Sequence, residues 1–153
     1  MLHRAYRGTT MNAALVTSVL VSLVVASTAL GLVWRTRQGR IARADGSTVI
    51  RVADIPGIPR LGPGATLLQF STDVCAPCAA THTLLDTLAA ERDDVTHIDL
   101  DLTARPDLAS RFHIMQTPTT LILDRRGAVR ARIGGAPRRD LLTAELDRIV
   151  VAA

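Results

Sequence analysis

An uncharged run over residues 13–34 constrains the fold of this chain more than any other feature. A helix needs about 20 apolar residues to cross a bilayer, so the run is long enough to span one. Trp34 closes the run and Arg35 follows directly, as is typical of a helix that ends at the water–lipid boundary. We therefore expect an N-terminal tail over residues 1–12 and a transmembrane helix over residues 13–34.

A cleavable signal peptide is the alternative interpretation of this run. Ser27 and Ala29 form a small-residue pattern that could be a cleavage site. However, the apolar run continues past Ala29 and exceeds the about 7 to 15 residues of a usual signal core. Its length therefore favours a retained membrane anchor.

The arginines beside the run predict its orientation. Arg4 and Arg7 precede the run, whereas four arginines follow it within ten residues. Because positive flanks favour the cytoplasmic side, we expect a cell-membrane protein whose C-terminal domain faces the cytoplasm. If translation begins at Met11, the N-terminal flank loses both arginines and this preference strengthens.

The net charge of +4 is distributed unevenly. Residues 1–63 carry eight arginines and two acids, whereas residues 64–153 carry ten arginines and twelve acids. The basic excess therefore lies beside the apolar run, where membrane topology explains it. No basic patch with interleaved aromatic residues is present, so we expect the membrane as a partner and no nucleic acid. The chain has 18 arginines and no lysine, a bias typical of a GC-rich genome.

Proline and glycine mark the approach to the folded domain. Residues 35–64 are interpreted as a juxtamembrane linker, within which residues 48–55 could form an edge strand. Three prolines and three glycines between positions 56 and 64 cannot sustain a helix or a central strand. The domain proper is therefore expected over residues 65–153.

Apolar periodicity in that domain predicts alternating strands and helices. Residues 66–70 form a short apolar run between Gly64 and polar residues, which indicates a buried strand. Apolar positions after Cys78 recur at helical spacing, so the two cysteines open a helix. Further strands are predicted at 95–101, 119–123 and 128–133, and further helices at 106–112 and 138–151. The order β-α-β-α-β-β-α predicts an α/β fold, with a mixed central sheet flanked by helices.

Two cysteines separated by two residues indicate reversible disulfide chemistry. A helix N-terminus stabilises the Cys75 thiolate, and the thiolate is the nucleophile. Cys78 lies one turn further along and could resolve a mixed disulfide by attacking the Cys75 sulfur. A stable structural disulfide and half of a zinc site are the alternatives. A purely structural bridge would close only a very short loop and so would constrain the unfolded chain little. For zinc, the chain has no third cysteine, and His82 alone does not complete a tetrahedron. We therefore expect no metal.

Four segments resemble the thioredoxin family in kind, order and approximate spacing. They are LLQF at 67–70, CAPC at 75–78, TPT at 117–119 and Gly134. The resemblance covers about residues 65–152 and implies a thioredoxin fold and a protein-disulfide reductase with no cofactor of its own. It implies a cis bond before Pro118 and backbone pairing of Thr117 with the substrate. The implied site consists of catalytic Cys75 and Cys78 and substrate-binding Ala76, Pro77, Thr117 and Pro118.

Two departures from the family pattern bear on activity. Gln69 stands where thioredoxins have a buried aspartate, and an amide cannot take up a proton, so proton transfer from Cys78 should suffer. Ser71 and Val74 stand where tryptophans are common, so the substrate-facing surface should be smaller and less aromatic. A specialised partner range or slower exchange is expected. His97 and His113 are interpreted as partly exposed structural residues.

The partners that the resemblance implies are disulfide or dithiol proteins as substrates, and an upstream reductase or membrane electron carrier as the electron source. Two other functions stay open. The domain could face outward, as in the anchored thioredoxin-like proteins of cytochrome maturation. It could also be a non-catalytic thioredoxin-like binding module whose cysteines are idle.

Overall fold

The computed structural model describes residues 3–55, 58 and 60–152, and these divide into two compact units at the boundary between Arg37 and Gln38. The first unit is one helix, α1 (His3–Arg37). Its segment Asn12–Trp34 has a mean hydropathy of 2.2, and none of it is buried inside the protein. The segment is therefore long and apolar enough to cross a membrane. A signal sequence near an N-terminus can also pass such a test of length and composition, so this helix is weak evidence for a membrane anchor.

Polar side chains within this apolar segment bond to their own helix. The hydroxyl of Thr17 donates to the carbonyl oxygen of Ala13, four residues earlier, at 2.8 Å. Ser18 and Ser27 donate in the same way to carbonyl oxygens three residues earlier. Hydroxyl groups satisfied inside the helix remove one cost of placing serine and threonine in lipid.

The second unit is built on a five-stranded mixed sheet with the strand order β1-β5-β4-β2-β3. The strands are β1 (Ile41–Arg43), β2 (Ala65–Ser71), β3 (Val95–Asp101), β4 (Thr119–Asp124) and β5 (Val129–Gly134). The helices of this unit are α2 (Ala76–Ala90), α3 (Pro106–Arg111) and α4 (Arg139–Ala152), with a short 3-10 helix at Val52–Asp54. β2 pairs in parallel with β3, and the other three strand pairs are antiparallel. The mixed sheet with flanking helices is therefore confirmed.

The interior strand β2 is buried at all seven positions because its two faces contact different hydrophobic clusters. Leu68 and Phe70 belong to one cluster, which contains Phe112 at the end of α3. Leu67 belongs to the other cluster, with Leu85 of α2. Alternating side chains of a strand point to opposite faces, so a continuous apolar run fits a strand covered on both sides. The C-terminal end of β2 is thereby held rigidly where the cysteine motif begins.

The segment between Gln38 and Ala65 is part of the folded domain and not only a linker. β1 pairs with β5 at the sheet edge, with Ile41 opposite Ile133, and Ile50 is 2% exposed within the core. The edge strand expected over residues 48–55 is not formed: Val49 makes a single bridge to Ala128, and a 3-10 turn follows. The compact unit accordingly begins at Gln38 rather than near Ala65.

Candidate active site

The two cysteines lie where β2 leads into α2. Cys75 is the N-cap residue of α2, and Pro77 lies in its first turn, where a missing N–H costs little. Cys75 and Cys78 form a disulfide with an S–S distance of 2.00 Å and a Cα–Cα distance of 5.4 Å. The backbone N–H of Cys78 donates to the carbonyl oxygen of Cys75 at 3.1 Å. This position places the first cysteine beside the unpaired N–H groups of the helix.

The two cysteines differ in exposure. Cys78 is 5% exposed, whereas Cys75 is half-buried. Ala76 and Pro77, which separate them, are both exposed. Cys75 is therefore the more accessible of the two sulfurs at the surface.

A second loop, distant in sequence, reaches the motif through Thr117. The hydroxyl oxygens of Thr72 and Thr117 are 3.2 Å apart, and the carbonyl oxygen of Thr72 accepts the backbone N–H of Cys75. The bond between Thr117 and Pro118 is cis, and Pro118 is buried. The structure thus brings the Cys-Ala-Pro-Cys segment and the Thr-Pro segment to one place on the surface.

Gln69 lies fully buried behind the second cysteine. Its amide Nε2 donates to the carbonyl oxygen of Cys78 at 3.2 Å, and its Oε1 lies 3.2 Å from His97 Nε2. This orientation makes Oε1 an acceptor, so His97 Nε2 is the donor. His97 as a whole residue is half-buried, in agreement with the expectation of a partly exposed histidine, although its side chain is only 3% exposed. His113 lies exposed in the loop before Thr117.

An open cleft of about 320 Å³ borders the disulfide. Three acidic side chains line it, from Asp73, Asp99 and Asp101. The hydroxyl and backbone N–H of Thr103 hold the pKa of Asp101 below its usual range, which keeps that carboxyl ionised at neutral pH. Besides the two cysteines and His82, the ionisable side chains that line the cleft are these three aspartates. Such a surface disfavours acidic partners.

Comparison with known proteins points to one family. The family model for thioredoxin matches residues 62–148. A thioredoxin from Mycolicibacterium smegmatis is 37% identical over 83 residues, which cover 52% of this chain and 73% of that protein. A thioredoxin from Chlamydia muridarum is 35% identical over 82 residues, which cover 54% of this chain and 79% of that protein.

Solved structures agree on the fold. A crystal structure of a thioredoxin from Nicotiana alata matches with a TM-score of 0.50 at 24% identity, over 57% of this chain and 74% of that one. A structure described as a malarial protein matches with a TM-score of 0.51 at 22% identity, over 56% of this chain and 97% of that one. At these identities the likeness supports the fold alone.

The relatives and the site geometry agree on the chemistry. The matched segment contains both cysteines and Pro118. A disulfide-bonded pair at a helix start, together with thioredoxin relatives at above one-third identity, supports thiol:disulfide oxidoreductase activity. The chain belongs to the thioredoxin family.

Proposed function

We propose that this protein is a membrane-anchored protein-disulfide reductase whose redox domain faces the cytoplasm. The observation that carries the proposal is the position of Cys75, which caps α2 and is more exposed than Cys78. The catalytic roles go to these two cysteines, and Ala76, Pro77, Thr117 and Pro118 would contact the substrate. The apolar segment of α1 supports the anchor, and the arginines that follow it support the orientation.

The reaction begins from the reduced pair. The Cys75 thiolate attacks one sulfur of a substrate disulfide, forming a mixed disulfide and releasing the other substrate sulfur as a thiolate. Cys78 then loses its proton and attacks the Cys75 sulfur, which releases the second substrate thiolate and leaves the Cys75–Cys78 disulfide. Two electrons have passed to the substrate. A dithiol reductase or a membrane electron carrier must return them.

The substrate class follows from the cleft beside the disulfide. Its carboxylates favour neutral or basic segments near the target disulfide over acidic ones. The backbone of Thr117, a half-buried residue, would pair with an extended substrate strand. Membrane or near-membrane proteins with accessible disulfides fit these requirements and the proposed anchor.

Reduction of insulin disulfides by the full chain in detergent micelles tests the activity, with dithiothreitol as the electron source. The wild type should accelerate reduction, and Cys75→Ser should abolish the acceleration. Cys78→Ser, reduced first and then freed of dithiothreitol, should instead accumulate a covalent mixed disulfide with the substrate through Cys75. Acceleration that survives Cys75→Ser would reject the assigned nucleophile, and no acceleration by the wild type would favour an idle binding module.

Thiol labelling in intact cells tests the orientation separately. A membrane-permeant reagent should reach reduced Cys75 and Cys78, and an impermeant reagent should not. Labelling by the impermeant reagent, or a disulfide accessible from outside, would instead place the domain outside the cytoplasm. That result would favour the cytochrome-maturation type of reductase.

A further inference from the structure

We propose that His82, Asp86 and His97 form a zinc site on the α2 side of the sheet. His82 and Asp86 lie one turn apart on α2, and His97 lies on β3. One ligand atom from each residue falls within 4.8 Å of the other two. Two imidazole nitrogens and one carboxylate are a ligand set that zinc accepts, with water in the fourth position.

The Asp86 carboxylate lies between the two imidazoles. One of its oxygens is 3.1 Å from His82 Nδ1, and the other is 2.5 Å from His97 Nδ1. Both separations are shorter than the roughly 3.3–3.6 Å between the ligand atoms of a tetrahedral zinc ion with bonds of about 2.0 to 2.2 Å, so the three donors must spread apart to admit the ion. The half-exposed side chains of His82 and Asp86 can make that movement by changing rotamer while α2 and β3 stay in place.

The hydrogen bond to Gln69 prepares His97 as a ligand. Gln69 donates its amide to Cys78, so its Oε1 accepts the proton on His97 Nε2. In a neutral imidazole this leaves the Nδ1 lone pair facing the Asp86 carboxylate. A zinc ion bound there would accept both lone pairs. Metal-ligating histidines almost always donate their other ring N–H to an oxygen, and His97 donates its Nε2–H to Gln69 Oε1 in this way.

The exposure of the three residues suits an open site. The His97 side chain is 3% exposed, whereas the side chains of His82 and Asp86 are 45% and 55% exposed. The buried histidine fixes the position of the ion, and the two exposed ligands leave access for the metal and for a water ligand. Since Gln69 contacts both His97 and Cys78, the site lies directly behind the redox pair.

Cobalt titration of the full chain in micelles tests this proposal. The protein is freed of metal with a chelator and kept oxidised, so that the cysteine sulfurs cannot act as ligands. Co²⁺ should bind one to one with visible absorption bands of a four-coordinate ion, and Zn²⁺ should displace it. Both His82→Ala and Asp86→Ala should weaken binding by at least about ten-fold, since each removes one ligand.

The controls separate this site from other donors. His82 and Asp86 are exposed on a helix where alanine is well tolerated, so these variants should fold. A double variant, His3→Gln with His113→Asn, removes the other two histidines and should keep wild-type binding. Absorption that is absent, that survives both alanine variants, or that develops only after reduction of the disulfide would overturn the proposal. None of these results depends on disulfide-reductase activity.

Discussion

The amide of Gln69 donates to the carbonyl oxygen of Cys78 at 3.2 Å, so a fully buried side chain of β2 holds the helix turn that carries the second cysteine. An aspartate at this position could accept a proton from the resolving cysteine, whereas an amide cannot. Gln69 therefore acts as a positioning residue, and the Cys78 proton must leave by another route.

Replacing this amide should destabilise the fold. Gln69→Leu keeps a similar volume but leaves the buried Nε2–H of His97 without its acceptor. Leaving one buried donor unsatisfied costs about 1–3 kcal/mol, so urea unfolding should show a loss of that order. The exposed Gln116 provides the control, because Gln116→Leu leaves no buried donor unpaired. Equal stability of the two variants would show that the Gln69 contacts contribute little.

Two exposed apolar side chains beside the site should contact protein substrates. Val74, next to Cys75, is 94% exposed, and Met115, two residues before Thr117, is 92% exposed. Val74→Ser and Met115→Ser should each raise KM for insulin by about five-fold, the effect expected from losing roughly 1 kcal/mol of apolar contact. Reduction of a small disulfide should be unchanged.

Val151→Ser is the matched control, since Val151 is 88% exposed on α4 and lies outside the motif. The substrate-contact assignment would be contradicted if all three serine variants changed KM equally. It would also be contradicted if the small disulfide lost as much rate as insulin did.

Acid stability should depend on Asp124, whose side chain is 4% exposed at the end of β4. Burial alone would raise its pKa, but the backbone N–H of Ala128 and the Arg130 guanidinium outweigh burial, so the pKa lies below its usual range. The ionised form therefore stabilises the fold above the unfolded value of about 3.9. That contribution is lost as the pH falls through the lower folded value.

Asp124→Asn should consequently lower the melting temperature near neutral pH by several degrees, the shift expected from losing about 1–2 kcal/mol. The gap between variant and wild type should narrow as the pH falls below the unfolded value of about 3.9 and through the lower folded value, because the wild-type carboxyl then also becomes protonated. Asp93→Asn, at an exposed loop position, is the control. A melting-temperature gap that stays constant with pH would contradict the assigned role of the ionised carboxylate.

The periodicity of apolar residues predicted most of the fold because most of the strands and helices are long enough to show a clear period. β3 has the predicted limits, 95–101, and α2 begins at the cysteine motif. β1 was missed because a strand of three residues has no measurable alternation, and its partner Ile133 is distant in the sequence. The segment 48–55 was misread as a strand because buried isoleucines such as Ile50 occur in irregular segments as well.

The candidate site was predictable only in part, for a related reason. Cys75, Cys78 and Pro118 belong to motifs that sequence shows directly. The contact of His97 with Gln69 depends on the parallel pairing of β2 with β3, and its contact with Asp86 depends on how α2 packs against β3. Neither packing relation follows from periodicity, so the sequence does not predict a histidine side chain held between two polar partners.

The most direct test of the central claim is the alkylation rate of each cysteine in the reduced full chain. Iodoacetamide reacts with the thiolate, and mass spectrometry distinguishes Cys75 from Cys78. The account predicts that near pH 7 Cys75 reacts at least about ten-fold faster than Cys78, and faster than the same residue in urea, because α2 and its greater exposure favour attack there. Equal rates for the two cysteines, or a Cys75 slower in the folded protein than in urea, would contradict it.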